Sequence, residues 1–136
     1  MATFQISVAQ QNARLDAMET EAGASPVLKI YSGSLPTNVA AARTGTVLST
    51  LTLPSDFMQA AASGAKAYNP TWSDTAADAA GTAGYFTLFK SDGTTGCWQG
   101  DITTTGGGGA MTIDNIVFAA GQAFTITGFT LTDGNG

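Results

Sequence analysis

Histidine is absent from this 136-residue chain. That removes the commonest general base, the usual base of a nucleophilic triad and the commonest metal ligand together. Cysteine occurs once, at Cys97. No internal disulfide can form, and one thiol makes no metal site by itself. Placed beside Trp98 in an expected strand, Cys97 reads as a small buried hydrophobe rather than a reactive thiol. Charge is scarce. Charged residues make up 11% of the chain, less than half of the roughly 25% usual in soluble domains. The basic ones, Arg14, Lys29, Arg43, Lys66 and Lys90, are never adjacent, and the net charge is −5. Nucleic-acid binding needs clustered Lys and Arg to neutralise phosphates, so neither nucleic acid nor an anionic membrane is an expected partner. No apolar run approaches the roughly 18 residues of a spanning helix. The start, "MATFQISVAQQNARLD", lacks the basic head and long apolar core of a secretory signal, and a cytosolic beginning is expected.

What remains is apolar and small. Hydrophobic residues make up 43% and glycine occurs 17 times. The length suits one domain with a modest core. A surface built largely of Thr, Ser, Gly, Ala and Asn suits packing against neighbours better than separation by charge repulsion.

Residues 8–22 carry helix formers, with Val8, Leu15, Met18 and Ala22 on one stripe and Gly23 as a stop. So short a helix is marginal alone. It must dock on its own domain or on a neighbouring subunit. We divide the chain into an N-terminal arm with this helix, 1–23, and a β domain, 24–136. After Pro26 the pattern becomes β. "VLKIY" (27–31) and "TVLSTLTL" (46–53) read as strands. Two long connections, 33–45 and 55–70, separate the early strands, the second with room for a helical turn. "TAGYFTLFK" (82–90), "SDGTTG" and "CWQGDIT" (97–103) predict a hairpin turning at Asp92-Gly93. "MTIDNIVF" (111–118) and "AFTITGFTLT" (123–132) complete six or seven strands. In the last, apolar parity switches at Gly128, which predicts a bulge. The tail "DGNG" (133–136) is expected to fray. The fold class is mainly β, an antiparallel immunoglobulin-like sandwich or small barrel preceded by a short helix.

"TTTGGGGAMTIDN" (103–115) invites a phosphate-loop reading. A P-loop needs Lys-Ser/Thr after its last glycine, and none is near Gly106–Gly109. The dinucleotide spacing fails too, because Met111 or Thr112 stands where the third glycine belongs. The following segment alternates like a strand, so a connection between strands is the simpler reading. Asp74, Asp78, Asp92, Asp101 and Asp114 show no spacing that identifies an acid/base pair, and the Asp-Gly loops lack the full EF-hand pattern for calcium. No catalytic, metal or cofactor site is expected. Trp72, Trp98, Tyr31, Tyr68 and Tyr85 read as core or interface, with a sugar-stacking platform as the alternative.

Three segments then speak together: "VLKIYSGSLPTNVAAARTGTVLSTLTLPSDFM", "GTAGYFTLFKSDGTTGCWQGDIT" and "GGGGAMTIDNIVFAAGQAFTITGFTLT". In this order they resemble a family of small structural proteins of tailed phages and prophages, over roughly residues 27–132. The resemblance carries no catalytic signature. It implies a non-enzymatic virion component on a β-sandwich-like domain. On that basis the expected role is capsid decoration, a cement protein on the head surface. It would bridge capsomers as a homo-oligomer, a trimer by preference, with the major capsid protein or other virion proteins as partners, after assembly in the bacterial cytoplasm. A tail, baseplate or head–tail connector component is the alternative, followed by a carbohydrate-binding module. Hydrophobicity and loop length make Leu15, Met18, Leu35, Val39, Phe57 and Met58 the candidate subunit contacts.

Overall fold

The computed structural model describes residues 4–69 and 72–132; the expectation for the tail 133–136 falls outside them. The helix α1 spans Val8–Ala22. Ser7 caps it by accepting a hydrogen bond from the Gln10 backbone N–H at 3.2 Å, and Gly23 ends it at φ 83°. Its buried positions are Gln11, Leu15 and Ala22, whereas Val8 points outward. The stripe is therefore rotated from the expected one. α1 lies on its own domain, against the strand that carries Lys66.

The strands are β1 Val27–Ser32, β2 Val47–Thr52, β3 Ala65–Ala67, β4 Ser73–Asp74, β5 Gly81–Phe89, β6 Gly96–Thr104, β7 Met111–Ile113, β8 Val117–Phe118 and β9 Phe124–Thr132. Among the described residues they form one sheet in the order β2-β1-β5-β6-β7-β9-β3, with β4 also on β9 and β8 on β5. The hairpin is present: Tyr85 faces Asp101 and Leu88 faces Trp98 across β5 and β6. The bulge is present too. Thr112 faces Gly128 but Ile113 faces Ile126, which leaves Thr127 extra. Burial switches parity there, from Phe124 and Ile126 to Phe129, so both halves of β9 keep their apolar side inward.

The sheet is mixed, which corrects the antiparallel expectation. β7 runs parallel to β6, with Ile102 beside Met111 and Thr104 beside Ile113. Parallel neighbours ordinarily need a connection of about a dozen residues or more, yet only residues 105–110 lie between these strands. The glycines make this short return possible. Gly106 and Gly108 both sit at φ 85°, where side chains are strained. A Cβ on Gly107 or Gly109 would lie 2.7 or 2.9 Å from the Thr103 side chain. Thr103 Oγ1 accepts from Gly109 N at 3.0 Å and Asp101 Oδ1 from Ala110 N at 2.8 Å, which fastens the return to β6.

Two further expectations are corrected. Residues 111–118 do not form one strand. Asp114 accepts from Thr125 N on β9 at 3.1 Å, and Asn115 accepts from Val117 N at 3.0 Å in a side-chain turn that separates β7 from β8. The connection 55–70 has no helical turn in its described part; it folds back on itself through a Met58–Tyr68 bridge and contributes β3.

The main core collects Leu28, Ile30, Leu48, Phe86, Leu88, Met111, Ile126 and Phe129 from one face of the sheet, with Phe57, Met58 and Trp72 from the connections. The other face of β1 and β5 carries Tyr31, Tyr85, Thr87 and Phe89, also buried. Loop 33–45 covers it. Tyr85 Oη donates to Thr44 O at 2.6 Å, and Gln99 Nε2 donates to Pro36 O at 2.9 Å.

Candidate functional site

Two depressions among the described residues touch the residues that open β6. One lies between α1 and the β5–β6 hairpin. Arg14, Ala17, Met18 and Glu21 form one wall and Lys90, Thr95, Gly96, Cys97 and Trp98 the other, around about 380 Å³. Lys90 and Glu21 pair across it at 2.8 Å. Trp98 faces inward, stacking on Phe129 at 6.4 Å between centroids, but stays half-exposed. The helix that makes this groove is held by Lys66. Its ammonium donates to Asp16 Oδ1, Glu19 Oε1 and Gln59 O, each at 2.7 Å. Three partners satisfy a buried cation that burial alone would make costly. Burial pushes the Lys66 pKa down, but hydrogen bonds and charge from Asp16 and Glu19 outweigh it and raise it above 10.5.

The second depression, about 610 Å³, lies between residues 39–43 and the hairpin. Arg43 donates to Val39 O at 2.6 Å and also to Ala41 O, folding the loop around its own guanidinium. Lys29 and Arg43 lie 5.2 and 5.8 Å from the Phe89 ring centroid. Cation–ring attraction thus holds the loop to the sheet.

Against this geometry the candidate contact residues divide. Phe57 is 0% and Met58 2% exposed, both inside the main core, and Leu15 is buried under α1; none of the three offers a surface to a partner. Hydrophobicity marks core and interface alike. Met18 lines the α1 groove, Val39 is half-buried against Gly96, and Leu35 is exposed. Trp72, at 1% exposure, donates its indole N–H to Phe57 O at 3.0 Å. It cannot serve as a sugar platform.

The carboxylates work on their own backbone. Asp92 accepts from Thr94 N at 2.8 Å, from Thr95 N at 2.9 Å and from the Thr95 hydroxyl at 2.6 Å. The Thr95 hydroxyl and amide lead the effects that hold its pKa down to about 2. Asp74 accepts from Ser49 Oγ and Ala76 N, Asp101 from Ala110 N, and Asp114 from Thr125 N. No group of three Cys, Asp or Glu side chains gathers as a metal site among the described residues. Burial pushes the Cys97 thiol above 9.0, against a partial pull from Lys90, and so disfavours the nucleophilic thiolate.

Sequence reasoning missed Lys66 as the anchor of α1, because a lysine between alanines carries no burial signal. It also missed Cys97 and Trp98 as groove walls. Comparison with known proteins finds no matching family model, no similar curated protein and no similar solved structure.

Proposed function

We propose that this chain is a non-enzymatic structural protein of a tailed-phage particle, a decoration (cement) protein on the head that bridges capsomers as a homo-oligomer after assembly in the bacterial cytoplasm. One observation carries the reading: the residues behind the phage resemblance build the scaffold. Gly33 of "IYSG" puts its carbonyl against Gly84, and Ser32 Oγ receives Thr46 N of "TGT" at 2.9 Å. Asp92 of "SDGTT" closes the hairpin. Of "DN", Asp114 ties this segment to Thr125 N of β9 and Asn115 caps the β7–β8 turn, and Gln122 of "GQ" caps Ala119 N at 2.9 Å. A motif set devoted to turns and register specifies a shape to be repeated, which is what a symmetric lattice uses.

Within this reading the sheet is a closed or nearly closed sandwich. Its first and last parts meet: Ser49 on β2 bonds Asp74 on β4, and Asp78 N donates to Leu48 O at 2.7 Å. Such closure leaves few free edges for unwanted strand pairing. Scarce charge leaves apolar and neutral hydrogen-bonded contacts to bind the partner.

The test is the copy number of this chain in purified particles, relative to the major capsid protein, by quantitative mass spectrometry. Comparable numbers support head decoration. A few copies per particle move the chain to the tail, baseplate or connector, and absence removes the virion reading.

A further inference from the structure

Four large apolar side chains stand out in solvent among the described residues: Phe4 at 75%, Val8 at 53%, Leu35 and Val117. Two of them fall within five residues of each other, at the start of α1. They flank Ile6, which is half-buried. From Phe4 to Ala13 no side chain is charged, whereas Arg14, Asp16, Glu19 and Glu21 follow at once. An uncharged, apolar-tipped segment therefore leads into a charged helix that is pinned to the domain at Lys66 and Lys90.

The groove between α1 and the hairpin has the matching character. Ala17, Met18, Cys97 and Trp98 supply apolar walls, and its rim carries Arg14 beside the Lys90–Glu21 pair. An uncharged segment enters such a groove without stranding a charge. The chain's own Phe4 does not occupy it. Ten residues separate Val8 from Met18 on α1, about 15 Å along the axis, and Phe4 and Val8 face solvent.

We propose that this groove receives Phe4 and Val8 of a second copy of the chain, so that the N-terminal segment is the link between subunits. The proposal rests on reading the chain as an assembling structural protein. Knob and hole lie at different places on one surface, so the contact is either heterologous, closing into a ring where the rotation permits, or an isologous reciprocal pair.

Cys97, the lone thiol and a groove wall, provides the test. A Phe4→Cys variant is oxidised gently with diamide, and the linked peptides are mapped by mass spectrometry. Expected are covalent multimers joined 4-to-97 between copies, lost in F4C/C97S and not reproduced by Val117→Cys, whose position is also exposed but lies on β8. In parallel, light scattering of F4S/V8S should show a shift from multimer to monomer with unchanged circular dichroism, because both side chains are at the surface. A wild-type chain that is monomeric at micromolar concentration overturns the proposal, as do multimers with no 4-to-97 linkage. A monomer that is abundant in particles sinks the groove contact alone. A 4-to-97-linked multimer missing from particles sinks the virion reading alone.

Discussion

At the scale of single residues, this protein spends its polar side chains on its own backbone. Asp92, Asn115 and Gln122 each accept from a nearby amide at a turn, while Asp101 and Asp114 accept from Ala110 N and Thr125 N farther along the chain. Each supplies a hydrogen bond that the backbone otherwise takes from water. Glycines fill the complementary role where two chain segments must touch. A Cβ on Gly84 would fall 1.9 Å from Gly33 O, a backbone atom that cannot swing aside. Gly84→Ala should therefore force β5 away from the turn after β1 and cost about 3 kcal/mol. Urea unfolding reads this as a lower midpoint at unchanged slope. A loss under about 0.5 kcal/mol, the usual range for a harmless surface change, would show that the contact yields freely.

At the scale of elements, α1 is held less by its apolar stripe than by one buried lysine. Leu15 and Ala22 are its only buried apolar positions among the described residues. Lys66 adds three charge-assisted hydrogen bonds to Asp16, Glu19 and Gln59 O. Lys66→Met keeps the volume and removes all three. Asp16 is half-exposed and returns to water readily, but the Gln59 carbonyl loses its donor. We expect a loss of about 2 kcal/mol, with faster amide exchange in α1 than in β1 and β5. Uniform loss across helix and sheet would mean that α1 and the sheet unfold only together. The same element shows what the sequence made legible. Its bounds followed from helix formers, the apolar stripe and Gly23, and the hairpin and the bulge at Gly128 followed from equally local signals. The parallel pairing of β7 did not, because it depends on Gly107 and Gly109 lying against Thr103, a contact set by the fold. Phe57 and Met58 read as subunit contacts for a related reason: only three-dimensional closure tells a core side chain from an interface one. Of the groove, Met18 was singled out from its helical stripe. Its opposite wall at Cys97 and Trp98 was not, since nothing local marks a half-covered strand.

For the whole molecule, the missing histidine governs the response to pH. Hydrogen bonds with Lys66 and Lys90 respectively hold Asp16 below 3.8 and Glu21 below 4.5, and Thr95 leads the groups that hold Asp92 at about 2. Carboxylates with depressed native values stabilise the fold above their unfolded pKa, and that contribution is lost as pH falls through the native one. Lys66 and Lys90 are raised above 10.5 by the acids they meet, in Lys66 against an opposing burial effect. Their contribution is complete below the unfolded value and is lost as pH rises through the native one. With histidine absent, no side chain of ordinary pKa titrates between about pH 5 and about pH 8. The melting temperature should therefore stay level from about pH 5 to about pH 8. It should drop below about pH 4 as the α1 ion pairs and the Asp92 turn protonate, and drop again above about pH 10. Thermal melts across pH 2 to pH 11 at fixed ionic strength check this. High salt should shallow the acid drop at the exposed Lys90–Glu21 pair more than at buried Lys66. A transition centred near pH 6 to 7 would require a strongly raised carboxylate or a strongly lowered thiol, whereas Asp16, Glu21 and Asp92 are lowered and Cys97 is raised.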